Sequence, residues 1–157
     1  MNKTQKIALT TPSGFLAFGF GSGLAPVAPG TFGTLMAIPL YLALQTLPPL
    51  MYLAVVVAAF IGGVWICGRA GKALGVHDHG GIVWDEFVGF WITMWLVPFH
   101  WTWLLAGFIL FRLFDIVKPF PIGWIDKKVS GGFGVMIDDV VAGIYAWLIL
   151  MLARYFL

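Results

Sequence analysis

Residues 7–68 contain no Asp, Glu, Lys, Arg or His, a run of 62 consecutive uncharged positions. A water-facing domain needs charge spread along its surface, so this run implies a chain whose solvent is largely lipid. Residues 87–111 extend the pattern, with His100 as their only titratable side chain. Over the whole chain 10% of residues are charged, against roughly 25% in a soluble domain. The same composition excludes disordered, collagen-like and coiled-coil classes.

The net charge of +2 and the lack of a basic face argue against a nucleic-acid partner. Cys67 is the single cysteine, so it forms neither an internal disulfide nor a zinc site, and it reads as a small buried residue. Lys3 and Lys6 precede an apolar stretch, as in a signal peptide. Gly19, Gly21, Gly23, Pro26 and Pro29 interrupt that stretch, so the segment is expected to be retained.

Four apolar stretches, residues 31–47, 50–67, 87–111 and 136–153, approach the length of about 20 residues needed to cross a bilayer. The expected fold is therefore all-α: one polytopic membrane domain over residues 1–157, with about four to five membrane-embedded helices. A Gly/Pro-rich, re-entrant-like segment precedes them. Pro98, Phe99 and His100 interrupt the third stretch, which reads either as one tilted span or as a hairpin. The hairpin puts Lys3, Lys6, Arg69, Lys72, Arg112, Lys118, Lys127 and Lys128 on one side and leaves only Arg154 on the other. The positive-inside rule makes the basic side cytoplasmic. Trp91, Trp95, Trp101 and Trp103 near the turn suit an interfacial belt.

Four motifs fall on that side. Residues 19–31 combine four glycines, Pro26, Pro29, Ser22 and Thr31 just before an apolar helix. With Thr31 as N-cap, this is either an anion cradle of backbone N–H groups or a packing segment. Asp85-Glu86 and Asp138-Asp139 are acidic pairs flanked by apolar residues, each read as preceding an apolar helix. A helix cap needs one acid, and carboxylates near hydrocarbon are costly. Four such groups converging require a cation, and hard oxygen ligands suit Mg2+. Adjacent helical residues point about 100° apart, so all four cannot ligate one ion. His77 and His79 read as loop decoration rather than as zinc ligands. Arg112, Asp115 and Lys118 share one helix face through successive i, i+3 spacings; they read equally as a self-neutralising ladder or as phosphate binders around a ligand or base. Together the motifs fit metal-assisted chemistry on a phosphate group.

With these residues in view, the chain resembles the phosphatidylglycerophosphatase A family of bacterial membranes. The resemblance rests on Gly19-Phe20-Gly21-Ser22-Gly23 through Pro29-Gly30-Thr31, and on His77-Asp78-His79-Gly80 with Trp84-Asp85-Glu86. It extends to Phe111-Arg112 with Asp115 and Lys118-Pro119, and to Met136-Ile137-Asp138-Asp139 with Ala142-Gly143. It implies an all-helical phosphoric monoester hydrolase of the inner membrane, with its site facing the cytoplasm. The implied reaction is Mg2+-dependent release of phosphate from phosphatidylglycerophosphate to give phosphatidylglycerol. In the resulting site, Asp85, Glu86, Asp138 and Asp139 hold Mg2+, and Asp115, Asp139, Arg112 and Lys118 serve catalysis. Ser22, Gly30 and Thr31 bind substrate. The expected partners are a phospholipid substrate and the bilayer, with a homo-oligomer left open. A phosphatase for another lipid phosphate, an ion-coupled transporter and a structural protein are the alternatives.

Overall fold

A computed structural model describes residues 1–76 and 79–157; His77 and Asp78 of the loop motif lie outside the described residues. Among the described residues the secondary structure is entirely helical. The helices are α1 (Lys3–Thr10), α2 (Pro12–Ala17), α3 (Pro29–Leu44), α4 (Pro49–Leu74), α5 (Trp84–Met94), α6 (Trp101–Val117), α7 (Ile122–Lys128) and α8 (Gly131–Phe156), with a short 3-10 turn at Ser22–Leu24.

Proline and glycine set most of the boundaries. Pro29 and Pro49 occupy first-turn positions of α3 and α4, where the missing N–H costs nothing. At the end of α4, Gly75 turns left-handed at φ +75°, and the Val76 N–H reaches back to the Gly71 carbonyl to close the last turn. Pro98 disfavours helical backbone just before it. The 87–111 stretch accordingly divides into α5 and α6, with the His100 ring accepting from the Thr102 N–H as the α6 cap. This is the hairpin alternative.

The helices are not equivalent. α4 and α8, 26 residues each, are long and apolar enough to cross a membrane; this is fewer than the four to five helices expected. At 11 residues α5 rises only about 16 Å, too little for a span. Nine of its 11 residues are buried, because α3, α4, α6 and α8 all pack around it. Trp91 is thus a core residue instead of part of an interfacial belt, and its indole N–H donates to the Ala37 carbonyl of α3 at 3.2 Å. The Tyr52 hydroxyl of α4 donates to the Trp91 carbonyl at 2.6 Å, and the Trp84 indole donates to the Ala59 carbonyl at 3.0 Å. These bonds tie α5 to its neighbours along its length.

The closest contact is with α8. A Cβ on Gly143 would lie 2.5 Å from the Gly89 carbonyl oxygen, and one on Gly89 would lie 2.8 Å from that of Asp139. Thr93 spans the crossing, its hydroxyl donating to the carbonyls of Gly89 at 3.0 Å and Gly143 at 3.3 Å. At one end of this helix pair Trp147 and Arg154 of α8 donate to the carbonyls of Trp95 and Leu96; at the other lie the acidic residues.

Gly143→Ala forces a methyl group against backbone that cannot yield cheaply, an overpacking cost of about 1–3 kcal/mol. It should lower the thermal midpoint in detergent, whereas Gly62→Ala, with nothing within 4 Å of the added Cβ, should leave it unchanged or slightly raised. Thermal unfolding of the two variants checks this.

Candidate active site

Asp85 and Glu86 lie in the first turn of α5, where the helix dipole favours negative charge. Gly89 follows Asp85 by four residues, and Gly143 follows Asp139 by the same interval. The close crossing at the two glycines therefore brings the preceding turns of α5 and α8 together. Carboxylate oxygens of Asp85, Glu86 and Asp139 lie within 4.8 Å of one another, and all three residues are buried. The second acidic pair does not cap its helix. α8 begins at Gly131, so Asp138 and Asp139 sit two turns inside it, and capping explains neither.

The structure separates the members of that pair. Asp139 turns toward α5. Asp138 turns toward the end of α6 and accepts from the Lys118 ammonium at 3.1 Å. Asp138 thus lies outside the carboxylate trio, drawn instead to the Lys118 ammonium.

Arg112, Asp115 and Lys118 do share a face. Asp115 pairs with the Arg112 guanidinium and stands 3.7 Å from the Lys118 Nζ. Arg112 also approaches Glu86 at 3.7 Å, which joins the ladder to the trio. Lys118 reaches its position through a left-handed backbone (φ +53°), unusual for a side-chain-bearing residue and costing on the order of 1 kcal/mol. The turn stops α6 and aims the ammonium at both Asp115 and Asp138. Burial works against charge on Lys118, but the carboxylates of Asp138, Asp115 and Asp139 outweigh it and hold its pKa above the ordinary lysine range.

Five buried carboxylates thus face two cationic side chains. Among the described residues Oδ2 of Asp139 and Oε2 of Glu86 are buried without a hydrogen-bond partner, the latter 3.7 Å from the Arg112 guanidinium. Unpartnered carboxylate oxygens in a poorly solvated site are costly unless a cation meets them. The trio can therefore hold a metal ion, and its all-oxygen donor set suits a hard one.

The glycine-rich segment reaches this site at one point. A Cβ on Gly30 would lie 3.0 Å from both terminal nitrogens of Arg112 and 3.1 Å from Oε1 of Glu86, so the first turn of α3 abuts the charged groups. A side chain there would have to displace the Arg112 and Glu86 head groups by a few tenths of an ångström. Thr31 is not the N-cap: α3 starts at Pro29, its cap is Ala28 in left-handed backbone, and Thr31 lies inside the first turn. The Ser22 hydroxyl donates to the Gly19 carbonyl at 2.8 Å within its own loop. Among the described residues neither Ser22 nor Thr31 hydrogen-bonds to the carboxylates. The segment is held by the loop before α5, where Val83 donates to the Ala17 carbonyl at 2.8 Å and Gly23 closes on the Gly81 carbonyl.

Gly89 and Thr93, absent from the motifs, prove central to the geometry. The repeated Asp-x-x-x-Gly spacing, Asp85 to Gly89 and Asp139 to Gly143, was the available signal.

A family model for Phosphatidylglycerophosphatase A matches residues 15–154. A phosphatidylglycerophosphatase A of Escherichia coli K12 is 49% identical over 141 residues, 89% of this chain and 82% of the relative. One of Haemophilus influenzae Rd is 46% identical over 158 residues, 99% of this chain and 97% of the relative. A Bacteroides thetaiotaomicron protein named "Putative phosphatidylinositol-3-phosphatase" is 41% identical, over 87% of this chain and 90% of its own. No solved structure matches the chain. With the family model covering most of its length, and relatives of nearly half identity on either side of the whole site, the chain belongs to the phosphatidylglycerophosphatase A family of phosphatases.

Proposed function

We propose that this protein hydrolyses the terminal phosphate of phosphatidylglycerophosphate in a Mg2+-dependent reaction of phospholipid biosynthesis, giving phosphatidylglycerol and inorganic phosphate. The observation that carries the chemistry is the buried trio of Asp85, Glu86 and Asp139, with its unpartnered oxygens, beside Arg112 and Lys118. The relatives named for this activity supply the substrate.

Asp85, Glu86 and Asp139 would hold Mg2+, which when bound neutralises phosphate charge and polarises the phosphoryl group. Arg112 and Lys118 bind the phosphate oxygens left over, the guanidinium through paired N–H donors and the ammonium as a point charge. Asp115 sits between these two cations and keeps both aimed at one spot. It is also the carboxylate placed to accept a proton from the attacking water, a role open to Asp139 as well. The first turn of α3, whose helix dipole attracts anions, abuts these groups at Gly30. Water adds to phosphorus, the bond to the glycerol oxygen breaks, and that oxygen takes a proton as phosphatidylglycerol leaves.

The protein acts, in this reading, as a multi-pass enzyme of the bacterial inner membrane. Exposed Ile61 and Trp65 on α4, Leu105 and Ile109 on α6, and Leu148 and Leu152 on α8 give an apolar exterior suited to acyl chains. The shorter α3 and the α5–α6 hairpin are embedded with them, and the basic end, with the carboxylate site, faces the cytoplasm. One further reading has a specific observation behind it: the Bacteroides relative is named for another lipid phosphate.

Purified protein in detergent should release phosphate from phosphatidylglycerophosphate faster than from phosphatidylinositol 3-phosphate, and the reverse order would reassign the substrate. EDTA should abolish release and Mg2+ restore it. Asp139→Asn should lower turnover by more than about 100-fold, while Asp138→Asn, which loosens Lys118 but leaves the trio, should cost about 10–100-fold. In intact cells a Lys72→Cys variant should resist membrane-impermeant thiol reagents and an Arg154→Cys variant should react, Cys67 being buried. The opposite pattern would invert the topology.

A further inference from the structure

Two concavities open along the seam between α4 and α8, and no residue of the carboxylate site lines either. The first, of about 790 Å3, lies where α4 ends and α8 begins. Arg69 and Lys72 line it together with Ser130 and the first turn of α8, over a floor that includes Gly68 and Gly132. Among the described residues no acidic side chain lines it and no carboxylate pairs with Arg69 or Lys72. Arg69 stacks over the Trp65 ring at 5.3 Å, which restrains the guanidinium beside the seam.

The second concavity, of about 430 Å3, is wholly apolar and lies farther along the same two helices over the end of α5, with Val57, Phe60, Ile92, Ile137, Ile144 and Trp147 in its walls. Phe60 meets Phe133 edge to face at 6.0 Å, and Phe133 directly follows Gly132 of the cationic pocket, so one ends where the other starts. From Ile137 to Trp147 the helix rises about 15 Å, half of a hydrocarbon core of about 30 Å. The groove side of α8 points roughly 120° away from Asp139.

We propose that this seam binds one anionic phospholipid, its phosphate seated among Arg69, Lys72 and the first turn of α8 and one acyl chain laid in the groove. It is a site separate from the one that hydrolyses phosphate. Charge complementarity selects an anion, and the adjoining apolar groove of one-leaflet length selects a lipid over a free ion. The inference rests on the bilayer reading above but not on the chemistry assigned to the carboxylates.

Native mass spectrometry of the detergent-purified protein, titrated with phosphatidylglycerol or with phosphatidylcholine of the same acyl chains, tests it. The protein should retain one phosphatidylglycerol at least about tenfold better than phosphatidylcholine, as two basic side chains beside a phosphate imply. Arg69→Gln/Lys72→Gln should erase that preference, and Ile144→Trp should weaken retention of the anionic lipid by filling the groove. Equal retention of the two lipids by the unaltered protein would overturn the proposal. So would a preference that survives Arg69→Gln/Lys72→Gln, which would place the lipid in the hydrolytic site. Displacement by millimolar inorganic phosphate together with indifference to Ile144→Trp would leave only an anion pocket and also overturn it. Phosphate release assayed on the same samples separates the readings: lipid preference without release counts against the proposed reaction, and release without preference counts against the seam.

Discussion

Everything at the acidic end depends on how closely two helices can cross. α5 and α8 meet backbone to backbone at Gly89 and Gly143, with the Thr93 hydroxyl donating to both carbonyls. One turn back along each helix from that contact stand Asp85, Glu86 and Asp139. Larger residues at the crossing would push the helices apart and open the trio. The site is thus a consequence of packing geometry as much as of the identity of its acids.

The crossing brings together charges that repel. Five carboxylates in a poorly solvated interior, facing Arg112 and Lys118 among the described residues, are a costly arrangement for a protein to keep on grounds of stability. The ladder on α6 manages part of this. Asp115 spaces the two cations, Lys118 takes up Asp138 through its left-handed turn, and Arg112 reaches across to Glu86. What remains is the trio, with Oδ2 of Asp139 lacking a partner among the described residues, the natural place for a hard cation.

Much of this was legible in the sequence because charge is so scarce in it. In a chain with long uncharged runs, every acidic pair stands out, and Asp85-Glu86, Asp138-Asp139 and the 112–118 ladder all converge. The all-helical class followed from the apolar stretches, and Pro98 marked the break between α5 and α6. Other features were hidden for physical reasons. That α8 starts at Gly131 depends on a left-handed turn and on tertiary support that composition does not report, so the second pair looked closer to a helix start than it is. Thr31 looked like a cap because Thr commonly is one, but Pro29 opens the helix two residues earlier. Trp91 had the composition of an interfacial residue, and only the enclosure of α5 shows it to be core. Four to five embedded helices were expected and two, α4 and α8, are long and apolar enough to cross a membrane; α5 is shorter because the chain breaks before Pro98 and other helices wrap it.

That wrapping bears on the order in which the molecule can be completed. α5 carries two acids of the trio on a helix too short to cross a bilayer and surrounded by its neighbours, while the third acid lies far down the chain on α8. A ribosome delivers these parts far apart in time. Until α8 docks, the Asp85 and Glu86 helix has an open flank, Thr93 lacks one of its two carbonyl partners, and the ligand set is incomplete. A nascent chain therefore cannot assemble the trio before α8 emerges, and the docking of α8 on α5 both closes the core and finishes the site.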